Sequence, residues 1–537
     1  MAVSLTEYNT FKRVVTAGNN EVWYEDLNVA AGTMVELAAA NGDIDTTDNL
    51  NMFEGYQKVF IVNGANLKIA DFVNTKLTVT ALTTAPSFGS TVTQVTSGAT
   101  MVVNFVNTAK TEIYGYTTNG TFTTTAGHTL SGGEMAPTTR VPSAVAEAST
   151  TPHWYDYTVF PDDSSGTLPA KAYLGALYRG RIVLSANPNA PHQWYMSRQA
   201  DHTDFAYVAN DAQSPVAGGN ADAGEIGDVI RSLIPYKDDY LIFGCANSIW
   251  VIRGDPAAGG SLDEVDLTIG MFGANSWCWD GEGNLYFWGT GGVYKLPRNF
   301  GPIENLSQVS LPELIKDEAA DPSTHRIVMG YDRKRFGIII NVTLISDGSS
   351  SSYFYSLNPI TQGFFPETYP DECGPYSSFY YDATDPTFKD LLIGCKDGYI
   401  RKFDTAAKDD DIGATDAAIS SKVLYPIIQL AEDNEEGKLS SLTVELSGGA
   451  SGGAHGDADG VTVSFYKGED AETLVEDVKD GATAFASSTL SGTGRQKPIR
   501  NRMRGAYAGI KLANSTAAET WAANRILYEI KKAGKVK

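Results

Sequence analysis

One pattern recurs along most of this chain: an apolar run, a polar turn built on Asp, Asn or Gly, a second apolar run, and an aromatic on the strand that follows. It occurs in "YQKVFIVNGANLKIADF" from Tyr56, in "YLGALYRGRIVLSANPNAPHQWYMSRQADHTDF" around Arg179-Gly180, and in "LIPYKDDYLIFGCANSIWVIRGD" around Lys237-Asp238-Asp239 and Ala246-Asn247. It returns in "DGEGNLYFWGTGGVYKLP" from Asp280, in "HRIVMGYDRKRFGIIINVT" with its continuation "YFYSLNPITQGFF", and in "YSSFYYDATDPTFKDLLIGCKDGYIRKFD". From the second of these six units to the last they lie at irregular spacings of roughly 40 to 60 residues. A small strand-turn-strand sheet buries its faces only by stacking on neighbours like itself, so the repetition predicts an irregular β-propeller with diverged blades.

The glycines fit that reading. Asn63-Gly64 is the strongest kind of short hairpin signal. In the fourth unit Gly281 and Gly283 serve one hairpin and Gly289 to Gly292 the next turn, while Leu285, Phe287, Val293 and Leu296 are placed between blades. A glycine loop beside aromatics suits phosphate binding or sugar stacking as well, but recurrence favours the scaffold.

Four segments follow from the texture of the chain. Residues 1–79 hold an N-terminal segment, irregular to about residue 50, and the first blade. Residues 80–142 change to alternating Thr and Val punctuated by Gly, which predicts a small inserted β-domain. "MAPTTRVPSAVAEASTTPHW" reads as a linker back, and residues 143–420 supply the remainder of the propeller. After the polar linker "DTAAKDDDIGATDAAISS", residues 421–537 read as a β-rich, sandwich-like C-terminal domain, because "SLTVEL" and "VTVSFY" alternate apolar and polar positions. The fold class is therefore all-β. Helix is expected only at "LPELIKDEAA", where Ser310 and Glu313 have capping-box spacing.

Charge narrows the partners. The chain carries a net charge of −23, which opposes general binding to nucleic acid or an anionic membrane, and equally suits a wall past which DNA slides. Its end is locally basic, with Arg495, Lys497, Arg500, Arg502, Arg504, Lys531, Lys532, Lys535 and Lys537 against few acids. The four cysteines, Cys245, Cys278, Cys373 and Cys395, are widely spaced without a C-x-x-C pair and read as buried thiols. The N-terminus lacks an apolar signal core and no run is long enough for a membrane helix, so no stable membrane insertion is expected and the chain reads as a product made in the cytoplasm.

No motif for chemistry emerges. The six histidines, His128, His153, His192, His202, His325 and His455, form no metal-ligand spacing. His202 and Asp204 can be drawn as part of a hydrolase, yet no nucleophile elbow accompanies them. "GGASGGAHGDADG" lies between strands with no helix N-terminus to receive phosphate, and the Asp clusters in "AKDDDIGATDAA" and "HGDADGVT" lack the EF-hand spacing. Trp194, Trp250, Trp277, Trp279 and Trp288 read as blade core, with a sugar-stacking rim as the sharper alternative. Paired glycosidase carboxylates drawn from different blades would leave no local pattern. The expectation is a non-enzyme with no catalytic residues, cofactor or metal.

A resemblance then enters. "RIVLSANPNAPHQWYMSRQADHTDF", "IRSLIPYKDDYLIFGCANSIWVIRGDP", "GTGGVYKL" and the closing "RQKPIRNRMRGAYAGIKLANS...WAANRILYEIKKAG" resemble runs in the β-propeller tail proteins of short-tailed phages, the tail nozzle or tail tubular protein B family, also called the tail hub. The resemblance covers roughly residues 55–79 and 160–537; the Thr-rich insertion has no counterpart in it. It implies a structural virion protein: a homo-oligomer, six copies forming a ring below the head-to-tail adaptor, carrying tail fibre or spike proteins and passing DNA through its channel without specific binding. Arg495, Arg500, Arg502 and Arg504 then become candidate intersubunit or adaptor contacts. The alternatives are a receptor-binding or fibre-bearing tail component, and a carbohydrate-binding or carbohydrate-active propeller.

Overall fold

The structure is a computed structural model that describes residues 2–5, 11–26, 32–45, 50–148, 151–160, 168–218, 225–404, 407–410, 412, 416–432, 435–447, 460–490 and 492–535. They divide into two units, residues 1–403 and 404–537.

The first unit is a succession of small antiparallel meanders, the blades. Blade 1 has strands Ala2–Leu5, Phe11–Gly18, Glu21–Glu25 and Met34–Glu36; blade 2 has Asn51–Gly55, Lys58–Val62, Leu67–Asp71 and His153–Asp156. Blade 3 has Leu174–Tyr178, Arg181–Asn187, Ala190–Met196 and Val216–Ala217; blade 4 has Ile230–Tyr236, Tyr240–Cys245, Ile249–Arg253 and Ser261–Asp266. Blade 5 has Trp277–Trp279, Leu285–Gly289, Gly292–Leu296 and Glu304–Asn305; blade 6 has His325–Asp332, Gly337–Leu344, Ser350–Ser356 and Gly363–Glu367. Blade 7 has three strands, Pro375–Tyr381, Asp390–Cys395 and Ile400–Lys402. First strands lie against first strands from blades 1 to 4 and again from 5 to 7, the arrangement of a propeller. All-β, propeller-like architecture is therefore the fold of this unit.

The blades adhere through apolar layers shared by neighbours. Phe53, Phe60 and Ile69 of blade 2 meet Ile182 and Leu184 of blade 3; Leu174, Val183 and Trp194 of blade 3 meet Leu233, Leu241 and Phe243 of blade 4. Leu285, Phe287 and Leu296 pack toward blade 4 and Val293 toward blade 6, so these four residues do lie between blades as expected. Each fully buried side chain of this size contributes about 1.5–3 kcal/mol.

A blade that the recurring pattern misses occupies the first fifty residues. Its central hairpin turns on Asn19 and Asn20, both left-handed at φ 55° and 60°, between the paired residues Gly18 and Glu21. A two-residue turn of this hand usually advertises itself with glycine at one of its two positions; here two asparagines supply it. Blade 2 goes further, using Tyr56 and Gln57 at φ 52° and 60°. That costly geometry for bulky residues is held by the Tyr56 hydroxyl donating to Gly180 O, in the corresponding turn of blade 3.

The insertion leaves between the third and fourth strands of blade 2. Its six-stranded sheet runs from Thr75–Thr78 to Ala144–Ala146, wider than residues 80–142, because Thr75–Thr78 pairs on both sides, with Glu112–Asn119 and with Ala144–Ala146. The stretch expected to be a linker thus supplies two strands, Ala144–Ala146 and His153–Asp156. The insertion has its own core, including Leu77, Val92, Met101, Ile113 and Leu130. Stacked Phe105 and Tyr114, 4.4 Å between centroids, seat it against Tyr155 and Phe160 beside blade 2.

In the second unit, one sheet orders Ser421–Leu424, Tyr507–Asn514, Thr462–Gly468 and Ala486–Thr489; the other centres on Glu435–Leu446. Apolar residues of both sheets, Leu442 and Val444 with Val463, Phe465 and Ile510, form one core. This unit starts at residue 404, ahead of 421, with a two-stranded ribbon, Asp409–Asp410 with Ala417–Ala418. A helix unforeseen from the pattern, Ala471–Lys479, is capped by Asp470, whose Oδ2 accepts from Thr473 N at 2.7 Å, and buries Leu474 and Val478. The expected capping box does not form: Ser310 ends the short helix Ser307–Ser310, and Leu314–Glu318 starts after Glu313 with no side-chain cap.

Blade 7 meets blade 1 across a buried carboxylate. Glu25, 2 % exposed, accepts from Tyr381 OH at 2.6 Å, Val14 N at 3.3 Å and Gly32 N at 2.7 Å, and Lys12 Nζ reaches Asp382 at 2.8 Å. Tyr381→Phe removes a hydrogen bond to a charged acceptor, so urea unfolding followed by tryptophan fluorescence should show a loss of about 1.5–3 kcal/mol. An unchanged midpoint would mean the seam is not held there.

Candidate interaction surface

The sequence's candidates for chemistry resolve mostly into core. The His202 ring lies among Tyr56, Phe60 and Phe160, at centroid distances of 5.2, 5.8 and 5.7 Å. Burial first, and the nearby Lys58 second, push its pKa well below the ordinary histidine range. Asp204 is engaged by Ala206 N at 2.8 Å and faces Arg198 at 3.9 Å. An imidazole kept neutral inside an aromatic cluster is a packing residue, without access to a substrate.

Trp194 and Trp288 are buried, and Trp250, Trp277 and Trp279 are half-buried. Trp277 donates to Ala274 O at 2.8 Å and Trp250 to Ser248 Oγ at 3.0 Å. Trp279 lies 4.7 Å from Tyr236, beside a void of about 10 Å³ lined also by Arg298 and Phe300. That is room for one water, not a sugar ring.

Among the described residues no group of three or more His, Cys, Asp or Glu could hold a metal, and no helix is long and apolar enough to cross a membrane. Asp409 of the acidic stretch accepts from Ala518 N at 2.6 Å. The Gly-rich stretch 448–459, with His455, lies outside the described residues. Cys245, Cys278 and Cys395 are buried as expected, whereas Cys373 is only half-buried; none of the four is in a disulfide.

The predicted arginines come together on one sheet edge. Strand Glu435–Leu446 is flanked along one side by Ala523–Lys535 and along the other by Gly494–Arg495 and Met503–Gly505. The segment joining those two short strands stays attached to the same edge: Gln496 N donates to Val444 O at 2.8 Å, and Ile499 exchanges hydrogen bonds of 2.7 and 2.9 Å with Leu442. Met503, fully buried, anchors the end. With Gln496, Ile499 and Met503 used for attachment, Arg495, Lys497, Arg500, Arg502 and Arg504 are left exposed.

The flanking strands hold most of the cations, and the central strand supplies the acids. From Arg495 to Lys537 the chain has eleven Lys or Arg against two acids, Glu519 and Glu529. The three carboxylates of the central strand are already engaged: Glu436 by Arg504, Glu435 by Lys532 at 3.0 Å, and Glu445 by Arg525 at 3.3 Å. Of the four arginines predicted as contacts, Arg504 is therefore committed within the chain. Arg495, Arg500 and Arg502, with Lys497, have no ion-pair or hydrogen-bond partner among the described residues. Such guanidinium groups are equipped to take carboxylate or phosphate oxygens in pairs.

No family model matches this chain, and no curated protein does. Among solved structures it is similar to Hsv2 of Kluyveromyces lactis, at 8% identity over 69% of this chain and 85% of that one, with a TM-score of 0.27. It is also similar to a glycoside hydrolase, at 11% identity over 64% of this chain and 94% of that one, with a TM-score of 0.20. At such TM-scores neither similarity bears on function.

Two outcomes are expected of this surface and its surroundings. Replacing Arg495, Arg500 and Arg502 together by Ser should leave the unfolding midpoint of the isolated chain unchanged, because they have no partners to lose; a marked drop would mean that they serve the fold. For His202 the sign is set by its lowered pKa. Below the unfolded value of about 6.5 the unfolded chain takes up a proton that the folded site resists, so stability falls as pH drops through that value, by up to about 1.4 kcal/mol per pH unit. His202→Leu should flatten this dependence between pH 6.5 and 5, measured by urea unfolding at each pH.

Proposed function

We propose that this chain is a structural protein of a short-tailed phage tail: the nozzle ring below the head-to-tail adaptor, built from six copies, with DNA leaving through its channel and fibres mounted outside. The observation that carries this reading is the row of unpartnered cations Arg495, Lys497, Arg500 and Arg502 on a chain of net charge −23. Such a row suits docking on carboxylates of a second copy or of the adaptor. The runs that resemble tail proteins fall in blades 3, 4 and 5 and in the sandwich unit, so the resemblance spans both units. The insertion, with a core of its own and rooted between the outer strands of blade 2, suits a mount for a fibre.

Electrostatics supply the mechanism of passage. Six copies would carry roughly −140, six times −23, and a channel wall of that sign repels phosphate and keeps friction low during transit. A wall studded with Lys and Arg would hold the DNA instead.

Immunogold electron microscopy of intact particles with antibodies to this chain tests the placement: label belongs at the base of a short tail. Label on peripheral fibres would make the chain a receptor-binding component, and absence from particles would overturn the virion reading in favour of a carbohydrate-binding or carbohydrate-active propeller. The purified chain should form a ring of six times its monomer mass by light scattering, and Arg500→Glu with Arg502→Glu should reduce that ring to monomers while leaving the fold intact. Rings that survive both changes would remove these arginines from the contact.

A further inference from the structure

Two cysteines far apart in sequence meet in blade 7. Strand Pro375–Tyr381 pairs with Asp390–Cys395 so that Pro375 lies opposite Cys395, and Lys396 N donates to Gly374 O at 3.0 Å. This brings the short helical turn Asp371–Cys373, immediately before Gly374, alongside the end of the middle strand. Cys373 and Cys395 are thereby neighbours at this end of the blade, close enough for each thiol to perturb the other; Cys395 Sγ lies 3.7 Å from Ile393 O, and Arg401, opposite Ile393 in register, stands beside them. Arg401 is itself fixed by two bonds to Asp397, of 2.8 and 2.7 Å.

We propose that Cys373 and Cys395 are a modification site: a thiol pair that a hydroperoxide converts to a disulfide, stapling the turn 371–373 onto blade 7. The geometry assigns the roles. Cys395 Sγ, inside the blade and next to Arg401, is the nucleophile; Cys373, half-buried, is the resolving thiol and the side from which a small oxidant enters. Cys395 is the thiol poised to ionise, drawn below the usual thiol range by its neighbour Cys373 and then by Arg401. Cys245 is pushed up to about 12 by burial, and burial raises Cys278 further.

Oxidation proceeds in two balanced steps. The Cys395 thiolate attacks the hydroperoxide, its sulfur is oxidised to the sulfenic acid, the O–O bond breaks, and the alcohol leaves after taking a proton. The Cys373 sulfur then attacks the sulfenic sulfur, forming the S–S bond and expelling hydroxide, which leaves as water with the Cys373 proton. The sum is two thiols and one hydroperoxide going to one disulfide, one alcohol and one water. In a reducing compartment the pair stays open; outside it, the staple closes.

The experiment treats the full-length protein with hydrogen peroxide, counts free thiols, and maps peptides by mass spectrometry without reduction. Two of the four thiols should disappear together, with a cross-linked Cys373–Cys395 peptide pair lighter by two hydrogens. The rate should rise with pH as the thiolate forms, and the thermal midpoint should increase. Cys373→Ser, at the half-buried position, should fold normally, abolish the cross-link, and leave Cys395 as a sulfenic acid that dimedone traps. Thiol loss without the cross-link, a cross-link between separate chains, or Cys245 or Cys278 reacting as fast as Cys395 would each overturn the proposal.

Discussion

The propeller depends on a carboxylate that ties its two ends. Blades 1 to 6 pack on one another through apolar layers, and those contacts are local in sequence and form without reference to the whole. Closure is different, since it joins residues 12–32 to residues 379–388. Among the described residues no strand is exchanged between the first and last blades, so backbone pairing of strands does not lock the seam there. Glu25 does, by drawing Val14 N, Gly32 N and Tyr381 OH to one buried point. Around it Val14, Tyr381 and Ala383 form a small apolar cluster with Phe388, whose ring would lie 2.8 Å from any Cβ at residue 32. Gly32, at φ 78°, is therefore required twice over: for its hand and for its lack of a side chain.

A second buried carboxylate does for the insertion what Glu25 does for the ring. Asp71 ends the third strand of blade 2, where the chain departs. It accepts from Val73 N and Asn74 N at 3.0 Å, from Asn74 Nδ2 at 2.7 Å, and from Tyr155 OH on the returning strand at 2.8 Å. Lys58 Nζ stands 3.5 Å away, and both side chains are fully enclosed. Burial alone would raise the Asp71 pKa, but Lys58 and these donors hold it below the ordinary carboxylate range. Exit and return of the insertion are thus pinned at one charge, and removing either ion would strand the other in a dry interior. The insertion is consequently seated on blade 2 at its root, whatever binds its far end.

How much of this was legible depends on the turns. Six blades announced themselves through Asn-Gly, Arg-Gly and Asp-rich turns between apolar runs. The first did not, because Asn19-Asn20 makes the same left-handed turn without glycine. Thr75–Thr78 and Ala144–Ala146 were assigned to blade and linker because β-branched and small residues carry little periodic signal, and only their pairing shows that they belong to the insertion's sheet. The helix Ala471–Lys479 had a readable signature in Asp470, the Leu474 and Val478 spacing, and Gly481, but it is short and lies among strands. The basic edge was legible as a run without acids. That Arg504 alone of its arginines is spoken for was not, since Glu436 lies nearly seventy residues away and meets it only through strand pairing.

The same sheet explains why its outer cations stay unsatisfied. Strand Glu435–Leu446 carries three carboxylates and is flanked on both sides by basic strands. Cross-strand neighbours compete for those acids, and Arg525 and Lys532 on one side and Arg504 on the other take them. Arg495 is opposite Glu445 in register, yet that carboxylate is held by Arg525 from the far strand. The segment 496–502 runs along the uncharged middle of that strand, between Glu445 and Glu436, attached by backbone bonds to Val444 and Leu442 that need no charge. Exposed ion pairs contribute little to folding, so leaving these cations unpaired costs the fold little and keeps their charge for whatever acidic surface meets this edge.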